Sequence, residues 1–194
     1  MVANLTMRDE ILDFWFGRPD TPGFGETRAE WFRKDVAFDG ALHARFGSAI
    51  DMALAGCFAE WADPRGILAR VLLLDQFTRN CYRDAPRAFA GDTLALAIAE
   101  QAVARNDDAA LIPVERWFLY MPFVHGESMS AQEQSVDLFT RLAADSGMAD
   151  LLVWAERHAA VIRRFGRFPH RNAILGRAST REEVAFLATP GSGF

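Results

Sequence analysis

Signals that start an α-helix recur along this chain, whereas the apolar and polar alternation of a half-buried strand is nearly absent. Thr27 with Glu30, Ser130 with Glu133, and Thr180 with Glu183 each fit the capping box, in which a hydroxyl and a carboxylate reciprocally satisfy the first free amides of a helix. Asp63 before Pro64 supplies a cap followed by proline at the first helical position, where the missing amide costs nothing. These signals predict an all-α fold, an antiparallel helical array or bundle of about nine helices. The helices are expected near 6–16, 27–34, 39–56, 64–80, 92–105, 113–121, 130–146, 149–165 and 180–188. Loops are expected at 17–26, 84–91, 122–129 and 166–177, where proline and glycine gather.

Of 194 residues, 51% are hydrophobic and 24% charged, enough apolar surface for one packed domain over 1–188, with 189–194 as a flexible tail. The net charge of −5 argues against a chain whose main affinity is for nucleic acid. Only Cys57 and Cys81 are present, too few for a disulfide framework and without the paired spacing of a zinc site. Asp9, Glu10 and Asp13 interrupt what would be the apolar core of an export signal. The most apolar stretch, Ile67 to Leu74, is broken by Arg70 and falls well short of the ~18 residues of a membrane span. A cytoplasmic protein that engages no membrane is expected. The five tryptophans show no tetratricopeptide period of about 34 residues, although stacked helix pairs do not require that motif.

Four places carry polar groups where the pattern calls for apolar ones. The helix at 64–80 is apolar nearly all round from Ile67 to Leu74, which places it in the interior. Its stripe Leu68, Leu72, Asp75, Arg79 continues an apolar line into charge, with Gln76 and Asn80 on the adjoining row. Asp75 lies in the C-terminal half, where the helix dipole disfavours a carboxylate, so it needs a cation or several donors. An internal pair with Arg79 meets that need, and so does a polar pocket wall. In the helix at 149–165 the stripe Leu151, Ala155, His158, Ile162, Phe165 turns His158 inward, as a hydrogen-bonded core residue or as a ligand and proton-transfer group.

The third place is Pro122-Phe123-Val124-His125-Gly126-Glu127-Ser128. It contains a His-x-Glu fragment of the zinc deaminase pattern but lacks its paired cysteines, so it fits a loop-fastening segment better than a metal site. Zinc held by His125, Glu127 and His158 is the outlying reading, and no metal is expected. The fourth is Phe165 to Asn172, followed by Leu175-Gly176-Arg177. From Arg157 to Arg181 there are seven arginines and two histidines, His158 and His170, and no acid. Arg167, Arg171 and Arg177 offer planar forks suited to carboxylates and phosphates, and Asn172 can fasten backbone groups. They also suit the neutralisation of buried carboxylates, Asp75 among them. With twenty arginines and one lysine, Lys34, compositional bias accounts for some of these forks.

The strings Leu74-Asp75-Gln76-Phe77-Thr78-Arg79-Asn80, Met121 to Glu127 and Phe165 to Asn172 resemble the bacterial family catalogued as domain of unknown function 924. So do Asp13-Phe14-Trp15-Phe16, Trp31-Phe32 and Leu175 to Thr180, in the same order over nearly the whole chain. The resemblance implies an all-α, tetratricopeptide-like fold and carries no agreed substrate, cofactor or catalytic residue. Relatives have proline where this chain has Thr78 and serine where it has Gly126, which removes a hydroxyl that a nucleophile would need.

Two functional readings follow from these residues. One is a binding module whose polar pocket takes a small anion or the acidic end of a peptide. The other is an enzyme using His125 or His158 as acid and base, with Arg79 and Arg171 holding an anionic substrate. A purely structural polar network, with protein binding at the outer surface, is the third. In the first two readings Asp75, Arg79, His125, Glu127, His158 and Arg171 are expected to share one cavity, joined by Asn80, Arg167, His170 and Asn172. No cofactor and no catalytic residue is assigned, and nothing in the chain sets an oligomeric state.

Overall fold

The computed structural model describes residues 6–192, and among them it contains helices and short 3-10 turns but no strand. The helices are α1 (Met7–Phe16), α2 (Val36–Leu54), α3 (64–81), α4 (Asp92–Ala104), α5 (Pro113–His125), α6 (Met129–Ser146), α7 (Ala149–Phe165) and α8 (Arg181–Leu187). The fold is all-α. Among the described residues the count is eight rather than nine, because 27–34 forms only a 3-10 turn, Ala29–Trp31. Its side chains are drawn to the end of α1 instead. The Arg28 guanidinium donates to the carbonyls of Phe14 and Trp15 at 2.8 and 2.9 Å, and the Trp31 indole donates to the Trp15 carbonyl at 3.0 Å. These bonds satisfy carbonyls that a helix C-terminus leaves open, and they fix the segment too closely for a second helix to start.

Two expected starts are as read. Asp63 accepts from the Gly66 amide at 3.2 Å ahead of Pro64, and Thr180 with Glu183 forms the full capping box. Elsewhere a nearer cap wins. Asp35 accepts from the amides of Ala37 and Phe38, so α2 begins at Val36. Ser128 caps α6 through the Ala131 amide at 3.2 Å, displacing the Ser130 and Glu133 pair. The largest difference is at Pro122, expected to end a helix but lying inside α5. A proline removes one helical bond. Here the turn beyond it is held by the fully buried carboxamide of Gln132, whose Nε2 donates to the carbonyls of Phe123, Val124 and Gly126 at 3.2, 2.8 and 2.8 Å.

Contacts group the described chain into two compact units, 6–83 with Arg87–Pro122, and Asp84–Pro86 with 123–192. The first unit is built on an aromatic core. Trp31 meets Phe118 at a centroid distance of 4.7 Å, and Trp15 meets Phe118 edge-on at 5.4 Å. Helix α3 runs through this unit, α-helical over Pro64–Val71, π-helical over Leu72–Phe77 and α-helical again over Thr78–Cys81. Every residue of the π turn is buried, Asp75 and Gln76 included. The start of α4 lies against it so closely that a β-carbon at Gly91 would stand 2.2 Å from the Leu74 carbonyl oxygen, and only glycine fits there.

The second unit is built on the hairpin of α6 and α7. Gly147 adopts a left-handed conformation, φ 75°, and with Met148 forms a two-residue link that turns α7 back antiparallel along α6. Val161, Ile162 and Phe168 form its core, with Met129, Phe165 and Phe186 packed against them. Of the tail expected at 189–194, residues 193–194 lie outside the described residues. Before it, the Ser192 hydroxyl donates to the Leu187 carbonyl at 3.1 Å. Residues 1–5, part of the segment read against an export signal, also lie outside.

Candidate functional site

The ten candidate residues divide between the units: Asp75, Arg79 and Asn80 belong to the first, and His125, Glu127, His158, Arg167, His170, Arg171 and Asn172 to the second. In the first unit Arg79 Nη1 lies 3.0 Å from Asp75 Oδ1 and also donates to the Asp75 carbonyl at 2.7 Å. Its two terminal nitrogens grip Asp92 at 2.8 and 2.9 Å. The carboxylate of Asp75 further accepts from Gln76 Nε2 at 2.5 Å. Burial alone would lower the Arg79 pKa, but the two carboxylates outweigh it and hold the guanidinium above its ordinary value. Asn80 donates to Asp39 at 2.8 Å, where Arg83 supplies a second clamp at 2.6 and 3.1 Å. One cation thus faces two acids, Asp75 on the π turn and Asp92 at the start of α4, an arrangement that fastens α3 to α4 and commits both terminal nitrogens of Arg79.

The second cluster is organised around Phe168, which is fully buried. Its backbone is clamped by Glu127 and Arg177. The Phe168 amide donates to Glu127 Oε1 at 2.7 Å, and Arg177 binds both Glu127 oxygens at 2.7 and 3.0 Å while also donating to the Phe168 carbonyl at 3.2 Å. Burial opposes ionisation of Glu127, yet these bonds and the nearby charge of Arg171 hold its pKa below the ordinary carboxylate value. Asn172 extends the clamp by accepting from Arg177 Nε at 3.0 Å and donating to Ser179 at 3.0 Å. Arg167 is paired separately, bidentate on Glu183 at 2.7 and 2.8 Å, which with the Thr180 amide pulls the Glu183 pKa down to about 2.

Three basic side chains meet the ring that this clamp positions. The Arg171 guanidinium stands 4.6 Å from the Phe168 centroid, His158 meets the ring edge-on at 5.6 Å, and His170 lies at 5.7 Å. Arg171 is buried although arginine is mostly a surface residue. His158 holds the Trp154 carbonyl through Nδ1 at 2.8 Å, which assigns the proton to that nitrogen. Burial, assisted by the charges of Arg171 and His170, depresses its pKa to about 4, so the ring is neutral at pH 7. His125 is the last residue of α5 and half-buried. The His125, Glu127 and His158 zinc set is not assembled: among the described residues no three His, Cys, Asp or Glu side chains group as metal ligands. Both cysteines are free thiols, and burial, with the Asp39 charge adding to it, pushes Cys81 up to about 12, far from a thiolate nucleophile.

Residues outside the candidate set complete both clusters: Asp92, Asp39 and Arg83 in the first, Arg177, Glu183 and Gln132 in the second. Arg177 carried a signal as one of the forks of the basic loop, and Glu183 as a helix cap. Asp92 and Asp39 carried none, since each reads as an ordinary acid in the first turn of a helix.

The chain matches the family described as bacterial protein of unknown function (DUF924) over residues 11–191. It belongs to that family. A solved structure of a protein of unknown function from Agrobacterium tumefaciens is similar, with 40% identity and a TM-score of 0.81, covering 93% of this chain and 96% of that one. Curated proteins give no match. Among the described residues no helix is long and apolar enough to cross a membrane.

Proposed function

We propose that the protein is a cytoplasmic helical binding module, tetratricopeptide-like in its paired helices, whose second unit takes a small oxyanion such as phosphate or the carboxylate of a small acid or peptide end. The observation that carries this reading is the buried Arg171 guanidinium held against Phe168 beside a neutral His158. A planar fork with five donors, positioned by a ring and partly desolvated, suits bidentate binding of an oxyanion. His158, kept neutral, adds no competing cation, while His170 adds a donor at the same ring. Arg177 and Arg167 have carboxylate partners and serve as frame. The site then comprises Arg171, His170 and His158, with Glu127 and Asn172 as positioning residues.

An enzyme reading draws on one feature, a histidine that is neutral at pH 7 and fixed in one tautomer, as a general base requires. Against it, Glu127 is committed to Arg177 and the Phe168 amide, and so supports a loop instead of orienting a catalytic ring. Calorimetric titration with inorganic phosphate, acetate and succinate tests the binding reading on the wild type and on Arg171→Met. Binding of at least one anion, lost in a variant whose circular dichroism is unchanged, is the expected result. An absence of binding at millimolar concentration, or binding unaffected by Arg171→Met, overturns it and returns the Phe168 cluster to a structural role.

A further inference from the structure

Helix α7 sinks Ala155, His158, Ala159, Val161 and Ile162 into the second unit, so its opposite face is expected to be polar. That face instead carries Val153 and Trp154, 45% and 49% exposed, with the small Ala160 exposed two turns beyond Val153. Large apolar side chains scattered singly over a surface are ordinary, but here two are neighbours. Tryptophan is also enriched among the residues that carry most of the binding energy at protein interfaces. The indole is held from one side by Arg157, whose guanidinium stands 5.3 Å from its ring centroid.

The charges flanking these apolar residues say what covers them. Glu156 and Arg163 are seven residues apart, so they lie within about 20° of each other around the helix and about 10 Å apart along it. That separation is too long for a pair on their own helix, and among the described residues neither makes an ion pair or a side-chain hydrogen bond. An acid and a base two turns apart are complementary to the same row run backwards. In a second α7 laid antiparallel about the midpoint between Ala159 and Ala160, Glu156 of each copy meets Arg163 of the other. The same register brings Ala160 of both copies to the crossing point, where a small side chain lets helix axes approach to about 8 Å. It also sets Trp154 level with the half-buried Phe165 of the second copy, on the same flank. Arg164 does not oppose this approach, since Glu182 neutralises it at 2.9 Å, and Arg157 is turned onto the indole.

We propose that the exposed face of α7 docks a second copy of this chain, antiparallel, as a two-fold symmetric dimer. Two-fold dimers are the commonest closed homo-oligomers, and their interfaces require this self-complementarity, residue i meeting j while j meets i. One helix of 17 residues per copy is about 25 Å long, so the contact lies at the small end of specific interfaces and the association is weak, micromolar or above. The surface uses no side chain of the oxyanion reading, and the two proposals stand or fall separately.

The test is sedimentation of the full chain at concentrations from about 1 μM to about 1 mM, where a concentration-dependent dimer is expected. Glu156→Arg alone and Arg163→Glu alone are each expected to weaken it by roughly tenfold or more, with circular dichroism unchanged, because like charges then face each other twice. Mixing these two variants is expected to restore the dimer, since both ion pairs return in the mixed species. The double variant is expected to restore it too, and Trp154→Ala to weaken it. A chain that stays monomeric to about 1 mM overturns the proposal and leaves the face to a partner of other chemistry or to solvent. A dimer indifferent to the single reversals, or a mixture that associates no better than its parts, overturns it equally and puts the dimer contact elsewhere.

Discussion

Arg79 in the first unit and Arg177 in the second each hold a carboxylate with two nitrogens, and the neighbourhoods make these pairs do different things. Arg79 has a second acid beside it, Asp75, which sits on a π turn with no exposed surface. Both its terminal nitrogens are directed at a carboxylate or a carbonyl of its own unit. Arg177 has the reverse surroundings: its one acid, Glu127, is already influenced by another guanidinium, Arg171, and the pair clamps the backbone of Phe168 instead of filling a core. The comparison teaches that a bidentate ion pair is not in itself a sign of a site. The setting decides: a guanidinium between two acids on buried helices gives a lock, and we propose that one clamping the backbone of a buried aromatic residue frames a place for an anion.

The largest expected effect tests the lock. Arg79→Ala leaves the buried Asp75 without its guanidinium and is expected to lower stability by about 3 to 5 kcal/mol in urea unfolding. Arg177→Ala, at a partly exposed pair, is expected to cost only about 1 kcal/mol. Equal losses would erase the distinction between the clusters. A single urea transition is expected in the wild type if residues 1–188 fold as one domain, and two separated transitions would divide it.

The next effect belongs to the second unit and depends on pH. The unfolded imidazole of His158 takes up a proton near 6.5, but the folded one only near about 4, so below 6.5 the unfolded state binds the proton first. Stability contributed by this group is complete above pH 6.5 and is lost as pH falls from 6.5 to 4, a total of about 3 kcal/mol. His158→Gln should flatten that slope. Glu127 and Glu183 have depressed pKa values, so their contributions are present above the ordinary glutamate value of 4.5 and are lost only at lower pH. A slope that survives unchanged in His158→Gln would mean that the ring is not held neutral by the fold.

A smaller effect sharpens the picture of the first unit. Gly91→Ala places a methyl group against the Leu74 carbonyl, forcing α4 away from α3 and loosening the Asp92 grip on Arg79, at a cost of about 2 kcal/mol. A fully stable Gly91→Ala protein would show that this approach is not required.

The helices were legible because caps and apolar stripes are local. Thr180 with Glu183 and Asp63 with Pro64 lie within one turn and needed no tertiary knowledge. Where the reading failed, a distant group competed. Trp31 and Arg28 were taken by α1 carbonyls at separations of 13 to 16 residues, and Gln132 held a turn beyond Pro122 that local rules would end. The candidate residues were visible as polar breaks in apolar patterns, and the Asp75 to Arg79 pair followed from their spacing of four, but the distant partners were not visible. Arg79 finds Asp92 at 13 residues, and Glu127 finds Phe168 and Arg177 at 41 and 50, distances over which spacing carries no pairing information. The π turn was hidden for a related reason, since the stripe through Leu68, Leu72, Asp75 and Arg79 presumes an unbroken 3.6-residue period.

The central claim, our proposal that the groups around Phe168 take an anion whereas Arg79 with Asp75 and Asp92 forms a lock, is tested most directly by mapping backbone amide shifts during a phosphate titration. The account predicts saturable changes centred on Phe168, His170, Arg171 and Asn172, with the amides of Asp75, Arg79 and Asp92 unmoved. Shifts centred on Asp75, Arg79 and Asp92, or none that saturate in either cluster, would contradict it.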